Sequence, residues 1–254
     1  MSKIFKSVLN LIPRPWLITL SYWVRPILAL YYRGGTYIDP IDEKGFRKFL
    51  PYGYENPREG VLSPSTLSLE RHRLLWLYLK NETNFFDAPL NVLHFAPEQA
   101  FHKRFKQLKN INYTTTDLNS PIADVKADIC NLPFENEAYD VILCNHVLEH
   151  IPNDTKAMEE LYRVLKPGGF GIFQIPQDLN REKTFEDNSI TDKKERAKIF
   201  GQYDHVRIYG RDYFDKLRSI GFKVDEVDYT CNLNDEEINR YRLAKGEIIP
   251  VVSK

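Results

Sequence analysis

Apolar and polar positions along the chain predict strands and helices in alternation from residue 68 onward. Because such alternation covers both faces of a parallel sheet, the pattern predicts a doubly wound α/β domain. The last two strands have no helix predicted between them, which suits an antiparallel edge. The predicted strands are 90–95, 111–116, 123–129, 140–145, 170–175, 222–229 and 246–254. The predicted helices are 68–80, 98–109, 154–165 and 211–220.

Two features between these elements carry further predictions. The segment 177–205 is polar and has no clear periodicity, which indicates a lid or a partly helical insert. Gly221 follows the last predicted helix directly and suits the left-handed conformation that ends many helices.

The first 38 residues contain five basic residues and no acidic one. Only ten residues separate Arg14 from Arg25, fewer than the roughly 20 apolar residues that a membrane-spanning helix needs. Residues 1–33 are therefore predicted to form a basic amphipathic helix that lies in a membrane interface or packs on the rest of the protein or a second subunit. Its apolar face comprises Trp16, Leu20, Trp23, Val24, Ile27, Leu28 and Tyr31.

Composition narrows the class of protein. A chain of 254 residues with 43% hydrophobic content suits one α/β domain with an appendage. Equal numbers of basic and acidic residues, 35 each, give no bulk electrostatic reason to bind nucleic acid. The cysteines Cys130, Cys144 and Cys231 share no C-x-x-C spacing, so a reducing, cytoplasmic location is expected, with peripheral membrane association left open.

The first candidate site lies where two predicted strands end. Asp117 ends the second strand, 23 residues after His94, a spacing that suits a carboxylate accepting hydrogen bonds from ribose hydroxyls. The intervening turn, HFAPEQA over residues 94–100, contains no glycine. A diphosphate needs close approach of the backbone, so this turn argues against a nicotinamide or flavin dinucleotide.

Four further segments of the chain carry recognisable motifs: NVLHFAPE, TTTDLNSP, DICNLPFENEAYDVILCNHVLEHIPND and ELYRVLKPGG. They resemble the successive motifs of class I S-adenosylmethionine (SAM) dependent methyltransferases. The resemblance covers about residues 90–230 and implies a Rossmann-like, mostly parallel seven-stranded sheet with an antiparallel edge strand. It also implies SAM as cofactor and methyl transfer to a small-molecule or lipid-linked acceptor. The predicted organisation is an N-terminal helix (1–33), a loop segment (34–67) and a methyltransferase domain (68–254).

The resemblance also implies contacts to the cofactor. By the family pattern Asp117 binds the ribose hydroxyls, and Leu118 follows it in the same site. Asp128 meets the adenine amino group and Ile129 the adenine face, while Asn145 lines the floor beneath the sulfonium.

The first loop departs from the family pattern. His94 stands where the family carries an acidic residue, and Ala96, Glu98 and Ala100 replace its glycines. His94, Ala96 and Glu98 are still expected at the cofactor, with Glu98 or backbone carbonyls accepting from the methionine ammonium.

Residues 37–73 resemble a short zinc ribbon preceding such a domain. Zinc in a structural site needs Cys or His, and none of the four ligand positions has a thiolate, so no metal is expected. These positions are Asp39 and Asp42 in the first pair, and Ser63 and Thr66 in the second. The segment is expected to be held instead by Phe46, Phe49, Leu50 and Tyr52.

The candidates for a general base are His146, His150, His205 and Tyr209, of which His150 and His205 are preferred. The alternative for His150 is helix capping or packing. Arg207 is expected to bind an acidic group of the acceptor or to form a salt bridge with the insert. Two other functions stay open: a non-catalytic SAM-binding protein that docks to a membrane or partner, and a less favoured nicotinamide-dependent oxidoreductase.

Overall fold

The computed structural model describes residues 14–53 and 57–254, and these form two compact units. The N-terminal unit comprises the described residues up to Thr83 together with Tyr229–Glu247. The sheet unit comprises Asn84–Asp228 and Ile248–Lys254. This division differs from the sequence-based boundaries, because the helix that follows residue 68 and a late segment both belong to the N-terminal unit. Residues 1–13 of the predicted N-terminal helix lie outside the described residues.

The N-terminal unit combines two helices with two small antiparallel ladders. Strand β1 pairs with β2, and β3 pairs with β4. The elements in chain order are α1 (Arg14–Tyr31), β1 (Arg33–Asp39), β2 (Lys44–Phe46), β3 (Leu50–Tyr52), β4 (Arg58–Leu62) and α2 (Glu70–Glu82).

A buried hydrogen-bond network joins Asp39 and Thr66, two of the positions in the N-terminal unit that were predicted to correspond to zinc ligands. Oδ2 of the fully buried Asp39 accepts hydrogen bonds from the hydroxyls of Thr66 (2.5 Å) and Ser68 (3.1 Å), and its Oδ1 accepts from the Ile41 N–H (3.0 Å). Phe46 and Phe49 are buried as expected, whereas Tyr52 is exposed. Hydrogen bonds to Asp39, rather than packing of Tyr52, therefore connect the loop at residues 39–42 with the loop at residues 63–68.

The sheet unit is built on seven strands among the described residues. Their order is β12-β13-β9-β8-β5-β6-β7, parallel from β9 to β7 and antiparallel at β12 and β13. This confirms the predicted doubly wound sheet with an antiparallel edge. The strands are β5 (Leu90–Phe95), β6 (Ile111–Asp117), β7 (Val125–Lys126), β8 (Tyr139–Cys144), β9 (Leu165–Ile172), β12 (Lys223–Val227) and β13 (Ile249–Ser253).

Helices and short ladders complete the chain after β5. Strands β10 (Phe185–Glu186) and β11 (Arg207–Ile208) pair with each other in the insert. Helix α6 ends at Gly221, whose φ of 119° is left-handed as predicted. The helices are α3 (His102–Phe105), α4 (Asp154–Val164), α5 (Lys193–Phe200), α6 (Tyr213–Ile220) and, in the N-terminal unit, α7 (Asp235–Tyr241). Two 3₁₀ helices cover Leu148–His150 and Tyr229–Asn232.

Burial in the core of the sheet unit explains why β5, β8 and α4 were predictable from the sequence. The central strands β5 and β8 are covered on both faces, so their residues form continuous apolar runs rather than an alternation. On α4, Ala157, Leu161 and Val164 are fully buried, which is the spacing of one helical face. These residues pack with Leu217 of α6 in a single apolar cluster.

Three predicted elements were wrong in extent. The predicted helix 98–109 contains only the four-residue α3, and the KPGG turn at 166–169 lies within β9 instead of preceding it. The two last strands are not joined by a helix-free connection. Asn234 starts α7 with a capping box, accepting from the Glu237 N–H (2.9 Å) while Glu237 accepts from the Asn234 N–H (3.0 Å).

Candidate cofactor and acceptor site

The glycine-free turn after β5 keeps a backbone shape that glycine usually provides. Ala96 has a φ of 44°, in the left-handed region that L-residues avoid. Its N–H donates to the Thr116 carbonyl at 2.9 Å, which fixes the turn against β6. Position 96 therefore adopts a left-handed conformation of the kind that glycine favours, although the residue there is alanine.

Glu98 contacts two other residues of the sheet unit that were predicted to lie at the cofactor, His94 and Asn145. One carboxylate oxygen contacts Nε2 of His94, and the other accepts from Nδ2 of Asn145 at 3.3 Å. His94 is fully buried, and its Nδ1 lies 2.7 Å from the Tyr113 hydroxyl. Burial raises the pKa of Tyr113 well above its usual value, so that hydroxyl keeps its proton. A Tyr113–His94–Glu98 chain thus places a carboxylate beside Asn145.

Asp117 ends β6, the strand that pairs with β5. Its Oδ1 accepts the N–H groups of Asn119 (2.7 Å) and Ser120 (2.5 Å), which fixes the orientation of the carboxylate. Among the described residues no hydrogen bond goes to Oδ2, so this oxygen is open to a ligand such as a ribose diol. Leu118 follows with 61% of its surface exposed.

Asp128 and Ile129 follow the edge strand β7. Asp128 is exposed, and its Oδ1 accepts from the Cys130 N–H at 2.9 Å. Ile129 is buried in the core cluster of the sheet unit. Asp117 pairs with Lys126 in the β6–β7 register, which places Asp128 two residues beyond that pair.

The two preferred base candidates meet although they lie far apart in the chain. The rings of His150 and His205 lie edge to face with centroids 4.7 Å apart. Their segments are joined where the Val206 N–H donates to the Glu149 carbonyl at 3.0 Å. Burial lowers the pKa of His205.

Sequence reasoning missed Glu149, which lies between the two candidate histidines of the HVLEH motif. Its side chain is 1% exposed, and Oε1 lies 3.3 Å from Nδ1 of His146. Together with His150 and His205 it forms a group whose potential metal-ligand atoms all lie within 4.8 Å of one another. The adjacent acidic and histidine side chains were visible in the sequence, but their convergence with His205 was not.

A family model described as "Methyltransferase domain" matches residues 83–173. This segment overlaps the region whose motifs resemble SAM-dependent methyltransferases, and the match supports that resemblance and SAM as the cofactor. The match does not reach the N-terminal segment, whose likeness to a zinc ribbon stays a prediction.

Curated relatives match parts of the chain. The sterol 4-C-methyltransferase strm-1 of Caenorhabditis elegans is 34% identical over 99 residues, which are 39% of this chain and 28% of that protein. The sterol 24-C-methyltransferase of Debaryomyces hansenii is 31% identical over 121 residues, 47% of this chain and 30% of that protein. The 2-phytyl-1,4-naphtoquinone methyltransferase of Nostoc punctiforme is 29% identical over 116 residues, 41% of this chain and 50% of that protein. The chain thus spans half or less of the length of these relatives.

Among solved structures, a SAM-dependent methyltransferase from Mesorhizobium loti is similar with a TM-score of 0.48 and 14% sequence identity. The similarity covers 70% of this chain and 96% of that one.

Two further candidates in the sheet unit, Arg207 and Tyr209, have structural roles. The fully buried Arg207 donates to the carbonyls of Leu148 (3.0 Å), Ile151 (2.5 Å) and Pro152 (3.0 Å), and to Glu186 of the insert (3.0 Å). The salt bridge to the insert is thus the alternative that the structure supports, and the guanidinium is not free for an acceptor.

The prediction that Tyr209 is a candidate general base was wrong. Its buried hydroxyl donates to Asp154 at 2.7 Å, and burial raises its pKa well above the usual value. Cys144, the last residue of β8, is fully buried.

Proposed function

We propose that this chain is a SAM-dependent methyltransferase that acts on a small-molecule or lipid-linked acceptor. The observation that carries the proposal is the pair of carboxylates at the carboxyl ends of neighbouring parallel strands. Asp117 ends β6 with one oxygen open, and Glu98 follows β5 beside Asn145. Ligands of open α/β sheets bind at these strand ends.

The residues present fit the two polar ends of SAM. In the proposed arrangement Asp117 accepts hydrogen bonds from the ribose hydroxyls, and Glu98 accepts from the methionine ammonium. His94 holds the Glu98 carboxylate in place, while Ala96 brings the backbone near the ligand. Asn145 forms the floor of the site.

We assign binding of the adenine ring to the loop residues that follow β6 and β7. The exposed Leu118 offers apolar surface to an adenine ring, and we assign Asp128 to its amino group. Ile129 supports this loop from the core and presents its edge to the ring.

SAM supplies a methyl group already activated by the sulfonium, so the protein has chiefly to align the acceptor and exclude water. An acceptor hydroxyl needs help in losing its proton. We assign this activation to His150 and His205, because His150 follows Asn145 by five residues and the ring of His205 packs against it.

An exposed apolar stripe on α1 favours a lipid-linked acceptor. Trp16, Trp23, Ile27 and Leu30 are 70–76% exposed. Apolar residues on a helix preceded and followed by basic residues suit insertion into an anionic membrane interface. Within residues 14–53 and 57–254 no helix is long and apolar enough to cross a membrane.

Calorimetric titration with SAM and S-adenosylhomocysteine tests the proposal. Wild type should bind both at about micromolar concentration, and Asp117→Ala should lose at least about tenfold in affinity while its circular dichroism is unchanged. Asp87→Ala, outside the proposed site, serves as the control. If wild type binds neither compound, the proposal is wrong. Binding without methyl transfer to any fraction of a cell extract favours the non-catalytic alternative.

Flotation with anionic vesicles tests the role of α1. Wild type should float with the vesicles, whereas a chain lacking residues 1–33 should stay at the bottom of the gradient. Equal flotation of the two proteins contradicts the assignment of membrane binding to this segment.

A further inference from the structure

Glu149, His150 and His205 form a compact cluster of metal-ligating side chains in the sheet unit. Their candidate ligand atoms all lie within 4.8 Å of one another. The side chain of Glu149 is 1% exposed and that of His150 28%, while His205 is buried. The first two residues lie on the 3₁₀ helix after β8, and the third follows α5.

The backbone around the two histidines determines which ring nitrogen is available. Nδ1 of His205 lies 3.1 Å from the Phe200 carbonyl oxygen, and Nδ1 of His150 lies 3.3 Å from the Asp204 carbonyl oxygen. A carbonyl only accepts, so each Nδ1 is the protonated nitrogen and each Nε2 carries the lone pair. Histidines that bind metals are commonly oriented by such a hydrogen bond from the other nitrogen.

The Glu149 carboxylate supplies a second, independent observation. Its Oε1 faces His146, but Oε2 is buried and has no hydrogen-bond partner among the described residues. Buried carboxylate oxygens without partners are unfavourable, since they lose hydration without replacement. A cation between Glu149 and the histidines would remove this deficit.

We propose that Glu149, His150 and His205 bind a divalent transition-metal ion of the Zn²⁺ kind. Two imidazoles and one carboxylate are a donor set that zinc takes in sites with an open coordination position. In a tetrahedral site, zinc ligands at about 2.0–2.2 Å from the ion lie about 3.3–3.6 Å apart. Binding of the ion would therefore draw the three side chains closer together than they are here.

The proposed metal site extends the proposed function, and its role in catalysis rests on that function. Glu149 and His150 follow Asn145 within five residues, and His205 packs against His150 with ring centroids 4.7 Å apart, so we assign the cluster to the acceptor side of the proposed site. A divalent ion lowers the pKa of a hydroxyl that it contacts, so the histidines would activate the acceptor through the ion. The hydroxyl proton leaves to solvent, the oxygen–carbon bond to the methyl group forms, and the sulfur–carbon bond breaks.

Zn²⁺ titration of the chelator-treated full chain tests the metal site without SAM. Wild type should bind one Zn²⁺ per chain at about 1 µM or tighter, and Mg²⁺, an oxygen-seeking ion, should bind far more weakly. Glu149→Gln, His150→Gln and His205→Gln should each weaken Zn²⁺ binding at least about tenfold. His102→Gln, in the same unit but outside the cluster, should bind as wild type does.

Two results would overturn the metal site: no Zn²⁺ binding by wild type up to about 1 mM, or equal binding by wild type and all three cluster variants. Circular dichroism and thermal unfolding establish that each variant is folded. Glu149 and His205 are buried, so their variants are the ones at risk of not folding. His150 is partly exposed, and His150→Gln therefore keeps the test decisive if either of the other variants fails to fold.

Titration of the metal-free protein with SAM separates this site from the proposed function. If SAM binds and Zn²⁺ does not, the metal site is wrong and the proposed cofactor site stands. If Zn²⁺ binds at the cluster and SAM does not bind in its presence, the metal site stands and the proposed function is wrong.

Discussion

The Nδ2 group of Asn145 donates to the carboxylate of Glu98 at 3.3 Å, so the ends of β8 and β5 are joined through two side chains. Parallel pairing of these strands, with Phe95 opposite Cys144, brings the two residues together. In the proposed site this carboxylate receives the methionine ammonium, and its charge then matters more than its shape.

Glu98→Gln should therefore weaken SAM binding at least about tenfold, because an amide keeps the shape of the side chain but loses the charge. Calorimetry measures the affinity, and circular dichroism establishes that the fold is retained. Glu159→Gln, an exposed site on α4, is the matched control. Unchanged affinity in Glu98→Gln would mean that the ammonium is bound elsewhere.

Ala96→Gly should stabilise the protein or leave it unchanged, with a gain of up to about 1 kcal/mol, because glycine adopts the left-handed φ of 44° without strain. Ala100→Gly, in the same loop but without a positive φ, should lower the free energy of unfolding by about 0.5–1 kcal/mol. Urea unfolding measures whether the free energy of unfolding rises in Ala96→Gly and falls in Ala100→Gly. Equal losses would show that the turn holds Ala96 without strain.

Asp39→Asn should destabilise the N-terminal unit by about 2–3 kcal/mol, because the amide cannot replace both acceptor oxygens for Thr66, Ser68 and Ile41. The three tryptophans Trp16, Trp23 and Trp76 all belong to this unit, so their fluorescence follows its unfolding. Glu43→Gln, an exposed change in the same turn, is the control. A loss no larger than that of the control would contradict a structural role for the network.

Burial raises the pKa of Glu247 to about 6, with the charge of Arg71 acting in the opposite direction. The folded protein therefore holds this proton more tightly than the unfolded chain, and its stability falls as pH rises from about 4.5 to 6. Glu247→Gln should remove this loss and raise the free energy of unfolding at pH 7 by up to about 2 kcal/mol.

Denaturant unfolding of wild type and Glu247→Gln at several pH values measures the effect as the difference between the two proteins. The difference in free energy of unfolding should be small below pH 4.5 and grow as the pH rises from about 4.5 to 6. Glu236→Gln, exposed on α7, controls for removal of an acid from the same unit. A pH-independent difference would contradict the prediction.

The local pattern of the sequence determined most of the sheet unit. Strands β5 and β8 and helix α4 were predicted because buried parallel strands are continuous apolar runs and one helical face repeats every three or four residues. The position of Asp117 at a strand end followed from the same local information, whereas the role of Asn145 was implied by the resemblance to SAM-dependent methyltransferases. The helix predicted over 98–109 was wrong in extent, since only His102–Phe105 is helical.

Only the tertiary structure decided which distant side chains meet. Sheet order brings Glu98 to Asn145, and a loop after α5 brings His205 to Glu149 and His150, with no local pattern in the sequence to signal either contact. The same holds for Arg207, whose donors are satisfied by carbonyls more than fifty residues away in the chain. Periodicity depends on near neighbours in the chain, whereas sites depend on contacts that exist once the strands have paired and the loops have packed.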